Sequence, residues 1–179
     1  MKMGPWFLAF WAFTLQFNTL RCCAQVRVEQ KSFCEDSKPL STLRAGSIPR
    51  GVMDAVMNTP EGKQARADAQ EQKTKLSPEN LLRGLNINLS PTSRGVFLVM
   101  GSYPLSAADG AWFWIVRQDR TRDSVLLWAS GNCLDLKQSS SHGYRDIEVR
   151  WASSGSARTD FFRYGGTIYR RVYSHISAR

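Results

Sequence analysis

Two histidines, four cysteines and a handful of closely spaced carboxylates are the groups in this 179-residue chain with the widest chemical reach. Their spacing decides which reactions are open to it. His142 follows Ser139-Ser140-Ser141, but no Gly-x-Ser-x-Gly turn surrounds these serines. A nucleophile without a positioned base and an orienting acid does not make a hydrolase site, and a polar loop between strands accounts for the segment. Cys34, Cys133, His142 and His175 are the residue types that ligate zinc, yet they lack its close paired spacings. Gly165-Gly166 leads into no helix, so it cannot cradle a phosphate. Asp146 and Glu148, two residues apart, share one face of a strand, the arrangement a carboxylate pair acting on cell-wall sugars would need; Asp135 is a third candidate. Arg150, on the same face as that pair, points instead to charge balance. No catalytic, cofactor-binding or metal-ligating residue is therefore assigned, no cofactor is expected, and the reading leans away from an enzyme.

The N-terminus fixes the redox setting of the cysteines. Met1-Lys2 leads into Trp6-Phe7-Leu8-Ala9-Phe10-Trp11-Ala12-Phe13, an apolar run of the length a secretory signal needs and short of the roughly 20 residues that span a bilayer. Cys22 and Ala24 supply the small residues for cleavage before Gln25, so residues 1–24 read as a signal peptide. Arg21 before Cys22, and Leu20-Arg21-Cys22 before Cys23, do not fit a lipid-attachment site. Cys34 and Cys133 then remain in an oxidising compartment and are predicted to form a disulfide. The bridge would tie the N-terminal segment to the C-terminal sheet.

Removing residues 1–24 takes Lys2 and Arg21 from the formal charge of +9 and leaves +7. Basic residues gather late, at Arg145, Arg150, Arg158, Arg163, Arg170, Arg171 and Arg179, interleaved with Phe161, Phe162, Tyr164, Tyr169 and Tyr173. Export argues against nucleic acid; the partners such a surface would suit are an anionic envelope polymer, acidic lipid head groups or an acidic envelope protein. The preferred reading is plainer: these are solvent-face residues balanced by Asp146, Glu148 and Asp160. Arg170 and Arg171, being adjacent on a strand, must point to opposite faces. Trp112, Trp114 and Trp128 suit a groove for sugar rings or peptide aromatics, but aromatics on strands are more often core.

The elements that must position these groups change character along the chain. Residues 25–46 read as an extended arm, with Val26 and Val28 on an edge strand, and residues 47–179 as one domain. Ser47 as cap and Pro49 in the first turn start a helix with Val52, Met53, Val56 and Met57 along one stripe. Thr59 and Pro60 open a second, polar segment over 61–76, helix or linker; Ser77-Pro78-Glu79 opens a third that ends at Gly84. From Leu85 the period becomes two. Leu85, Ile87 and Leu89 share a face; Gly95–Met100 is apolar on both faces; in Ala111–Arg117, Trp112 and Trp114 face away from Phe113. Strands follow at 124–128 and 133–136, and Arg145–Trp151 alternates, with Ile147, Val149 and Trp151 inward. A two-residue turn at Gly165-Gly166 would pair Phe162 with Tyr169 and Asp160 with Arg171. The expected fold is α+β: short N-terminal helices packed on an antiparallel sheet of consecutive hairpin-connected strands.

Gly143-Tyr144-Arg145-Asp146-Ile147, followed by Tyr164 to Tyr169, resembles a Gly-x-Arg-Asp-Ile then Tyr-x-Phe-Asp-Gly-x-x-Tyr pattern of small secreted bacterial β modules of unassigned function. Gly165 stands where that pattern is acidic. The resemblance spans about the last third of the chain and implies an envelope location without implying an activity. The resulting expectation is an exported, non-enzymatic binding module of the bacterial periplasm or envelope that uses its sheet face or hairpin edges. Its rivals are a secreted inhibitor of a lytic enzyme and a cell-wall-acting enzyme of unfamiliar type.

Overall fold

Strict alternation in the second half of the chain resolves into two antiparallel sheets rather than one. The computed structural model describes residues 31–35, 48–108 and 110–178. Sheet I holds β1 (Lys31–Cys34), β7 (Cys133–Ser141), β8 (Tyr144–Ala152), β9 (Ser156–Tyr164) and β10 (Tyr169–Ala178), side by side in that order. In sheet II, β2 (Leu82–Asn86), β3 (Val96–Gly101) and β5 (Gly110–Arg117) are neighbours, and both β6 (Ser124–Gly131) and the two-residue β4 (Ser106–Ala107) pair with β5. Strands make up 52% of the structure, so antiparallel sheet dominates it. Three short helices precede the strands of sheet II: α1 (Arg50–Met57), α2 (Pro60–Glu71) and α3 (Pro78–Leu81).

Side-chain alternation explains the layers. Leu98 of β3, Phe113 and Ile115 of β5, Leu134 of β7, and Ile147 and Val149 of β8 interlock between the sheets. The opposite face of sheet II carries Val99, Trp114 and Val116, and these are covered by Val52, Val56 and Met57 of α1. The sequence separated these faces correctly, with Trp112 and Trp114 on one side of β5 and Phe113 on the other. Eight residues are too few for a helix to persist alone in water. Burial of three apolar side chains, each worth about 1.5–3 kcal/mol, supplies what local propensity does not.

Local signals placed α2 well: Thr59 is its N-cap, with Oγ1 accepting from Gly62 N at 3.4 Å, and Pro60 is its first residue. The segment left open as helix or linker is thus helical over 60–71, resting on Gly62, Ala65 and Ala69. At α1 the position before the helix is Pro49, not a residue inside the first turn, and Ser47 lies outside the described residues. Gly84 does not end a helix. It sits inside β2, where a Cβ would come within 2.9 Å of Ile48 Cγ1, so the glycine serves close packing. Of the N-terminal arm, Val26 and Val28 fall outside the described residues; the edge strand that is described is β1.

The chain passes from sheet II to sheet I through Gly131-Asn132-Cys133. A Cβ on Gly131 would lie 2.6 Å from Val149 Cγ1 and 2.7 Å from the Arg150 carbonyl oxygen, so this crossing admits no side chain. Asn132 holds the corner: its N–H donates to Arg150 O at 2.8 Å, and its Oδ1 accepts from Ala152 N at 2.6 Å. Beside it, Cys34 and Cys133 face each other across the β1–β7 pair and form the predicted disulfide, 99 residues apart in sequence.

The last hairpin forms with a different register. Tyr164 pairs with Tyr169 and Phe162 with Arg171, because Gly165 N donates to Ile168 O at 2.9 Å and closes a four-residue loop. Up to Arg171 the shift from the two-residue turn is two residues, which leaves those side chains on their expected faces; past the register break between Arg171 and Tyr173 it becomes three, so Tyr173 comes opposite Phe161, and Asp160 opposite Ser174 rather than Arg171. A pattern of period two cannot distinguish the two registers.

Candidate binding surfaces

On the outer face of sheet I, Ser32, Asp135 and Glu148 are successive cross-strand neighbours on β1, β7 and β8. Asp135 is buried; the Ser32 hydroxyl donates to it, and Arg150 reaches it through Nε at 2.7 Å and Nη2 at 3.3 Å. Glu148 is held by Lys137 Nζ at 3.1 Å, with Arg150 Nε at 3.8 Å. Asp146, also buried, accepts from Ser141 Oγ at 2.7 Å. The three carboxylates considered for acid–base work therefore have their charge answered by a partner. This is a ladder that stitches three strands, and none of its members lines either cleft described below.

The histidines and cysteines also find structural uses. His142, with φ of 49°, and Gly143, with φ of 78°, form the two-residue turn between Ser141 and Tyr144, a left-handed pair suited to a tight hairpin. His175 lies on exposed β10 opposite Thr159. The two sulfurs are bonded to each other.

The late arginines divide by environment. Arg145 was expected among surface residues, but it is buried: its Nε donates to Lys137 O and its Nη2 to Leu136 O, each at 2.6 Å. Between Leu136 and Ser140 the β7–β8 register slips, and Arg145 satisfies the carbonyls left over at that bulge. Burial pulls its guanidinium below the ordinary arginine range. Arg158 Nε lies 3.2 Å from Asp160 and Arg171 Nη1 lies 3.6 Å from it. The latter is an ion pair too long for a hydrogen bond, leaving buried Asp160 Oδ1 without a donor. Arg163 rests over the Phe161 ring. Arg179 lies outside the described residues. Charge balance, the preferred reading of this run, accounts for Arg150, Arg158 and Arg171.

The two ends of the sandwich differ. At one, Tyr144 stacks on Tyr164 with centroids 4.3 Å apart, Tyr169 closes against Tyr164, and Arg117 Nη1 donates to Tyr164 Oη at 3.5 Å. Burial pushes the Tyr169 phenol well above its usual range, and the hydrogen bond to Asp119 holds Arg117 above its own. The other end is open: a cleft of about 410 Å3 is lined by Ser130, Trp151, Ser156, Arg158 and Ile176. Beside it runs β10, the last strand of sheet I, with every residue but Tyr169 exposed. Val172, Tyr173 and Ile176 are large apolar side chains left in water, Ile176 at 70%. Sequence reasoning named hairpin edges and Tyr173 but not Val172 or Ile176, and Arg170–Ile176, read Arg-Arg-Val-Tyr-Ser-His-Ile, carries no alternation that would have marked them.

A second groove, of about 600 Å3, separates α1 from the β5–β6 turn and ends at Trp128. The tryptophans assigned together to the core thus part company: Trp114 is wholly buried, Trp112 half-buried and Trp128 47% exposed. Among the described residues no group of three or more His, Cys, Asp or Glu is placed to hold a metal, and no helix is long and apolar enough to cross a membrane. No family model, curated protein or solved structure matches this chain.

Proposed function

We propose that the protein is an exported, non-enzymatic binding module that captures an extended acidic segment of a cell-envelope protein along β10. The observation that carries this is the ten-residue edge strand, exposed and apolar at Val172, Tyr173 and Ile176, running beside an open cleft. An unpaired edge offers main-chain donors and acceptors to an added strand, and a neighbouring pocket selects its side chains. Arg170 on that strand favours acidic residues in the partner, as does the formal charge of +7 that remains without residues 1–24. The register break between Arg171 and Tyr173 interrupts the edge, so the partner strand pairs with the regular stretch Tyr173–Ala178, which runs beside the cleft.

The disulfide supports the export half of this reading, because such bonds persist in oxidising compartments. The carboxylate ladder supports the non-enzymatic half, since acids tied to arginine, lysine and serine are occupied in holding strands together. The test is retention of envelope-extract proteins on the immobilised, oxidised protein at low and high salt, with hydrogen exchange followed along β10. One dominant protein that survives added salt, protects β10 amides and is lost from the Ile176→Ser variant is the expected result. Salt-labile capture of many species without protection of β10 overturns it.

A further inference from the structure

Trp128 and Trp114 are directly paired across β5 and β6 and share the helix-covered face of sheet II, yet only Trp114 is covered. The eight-residue α1 packs over β5 and onto the cluster that Val125 of β6 joins, but does not cover Trp128, whose indole forms the end of the groove beside the helix. Gly51, Asp54 and Asn58, at successive-turn spacing along α1, form one wall. Arg122 and Asp123 of the β5–β6 turn form the other, with Ser124 and Val125 continuing it toward Trp128.

We infer that this groove is a saccharide site, in which a pyranose ring lies against the Trp128 indole and its hydroxyls meet Asp54, Asn58 and Arg122. Three observations converge. The exposed indole gives a flat apolar platform with a polar edge. Asp54, Asn58 and Arg122 are exposed, and none of their side chains has a hydrogen-bond or ion-pair partner among the described residues. Together they offer an acceptor, a donor–acceptor and a donor, which is what a ring of hydroxyls, each both donor and acceptor, can use in full. The volume lies within the range of small-molecule sites.

Other ligand chemistries use the groove less well. A hydrocarbon would leave the carboxylate and guanidinium desolvated and unpaired. A phosphate would meet Asp54 and Asp123 as like charges. Asp123 itself is occupied: its Oδ1 accepts from Asp119 N at 3.2 Å, and its carboxylate packs against Gly51 so closely that a Cβ there would collide with it. Asp123 thus lies directly against Gly51 at the narrow part of the groove.

The test uses the oxidised full chain with maltotriose, cellotriose and chitotriose at millimolar concentration, read by saturation-transfer NMR and by quenching of tryptophan fluorescence. Saturable binding of at least one trisaccharide is expected, weakened at least about tenfold in both Trp128→Ala and Asp54→Asn, with the fold of each variant retained by circular dichroism. Absence of binding to all three sugars, or binding unaffected by Trp128→Ala and Asp54→Asn, overturns the inference. Because the groove lies on sheet II, away from β10, Ile176→Ser is expected to leave sugar binding intact.

Discussion

The Tyr169 hydroxyl donates a 2.7 Å hydrogen bond to the backbone carbonyl of Arg145, joining the first residue of β10 to β8 across the intervening strand. The same Arg145 donates its guanidinium hydrogens to the carbonyls of Leu136 and Lys137 on β7. One buried pair therefore links β7, β8 and β10 at the closed end of the sandwich.

This link gives stability an alkaline limit. The folded-state pKa of Tyr169 is raised by burial, so the native state retains a proton that the unfolded chain releases at about pH 10. The contribution is complete below that pH and is lost as pH rises further. Urea denaturation from neutral pH to about pH 11 should show constant stability from this group and then a decline. In Tyr169→Phe the decline should shrink, while stability at neutral pH falls by about 0.5–1.5 kcal/mol for the lost hydrogen bond.

Arg150 is half-exposed, but its partner Asp135 is buried. Arg150→Ala leaves that carboxylate, among the described residues, with only the Ser32 hydroxyl as a side-chain donor. The expected cost is about 1–3 kcal/mol, measured by chemical denaturation, whereas Lys137→Ala, which removes a partner of less buried Glu148, should cost under about 1 kcal/mol.

The Cys34–Cys133 bridge closes a loop spanning 99 positions, and chain-entropy arguments assign it about 4–5 kcal/mol. Cys34→Ser/Cys133→Ser should lower the denaturation midpoint accordingly. The loss should come with proteolytic release of β1, whose pairing with β7 is the described link between the N-terminal segment and sheet I.

Gly131→Ala should be among the more damaging single substitutions available to this protein. The new methyl would meet both Val149 and the Arg150 backbone at the sheet crossing, and the backbone cannot yield as a flexible side-chain end would. A loss of about 1–3 kcal/mol in thermal or urea unfolding is expected, against a near-neutral result for Gly155→Ala, where nothing lies within reach of the added Cβ.

Local chemistry in the sequence was enough to find most strands from β3 on, the inner and outer faces of β5 and β8, the Thr59–Pro60 helix start and the disulfide, but not β1, β4 or the start of β2, which it read as helix. Each of these depends on neighbours in sequence or on counting cysteines: alternation tells which side of a strand is apolar, and a cap satisfies the amides immediately after it. What the sequence could not supply was everything that depends on which strand lies beside which. A two-residue slip keeps the faces next to the turn, so the register there was set by the Gly165–Ile168 hydrogen bond, and the break after Arg171 turned the rest of β10 over. Arg145 and Asp160 look like surface charges until the third dimension buries them, Arg145 beside carbonyls of β7 and Asp160 between Arg158 of its own strand and Arg171 of β10. Trp114 and Trp128 look alike in sequence, and only the reach of α1, eight residues long, covers one and leaves the other to water. Periodicity records the face a side chain points to, whereas its exposure is decided by what another part of the chain places on that face.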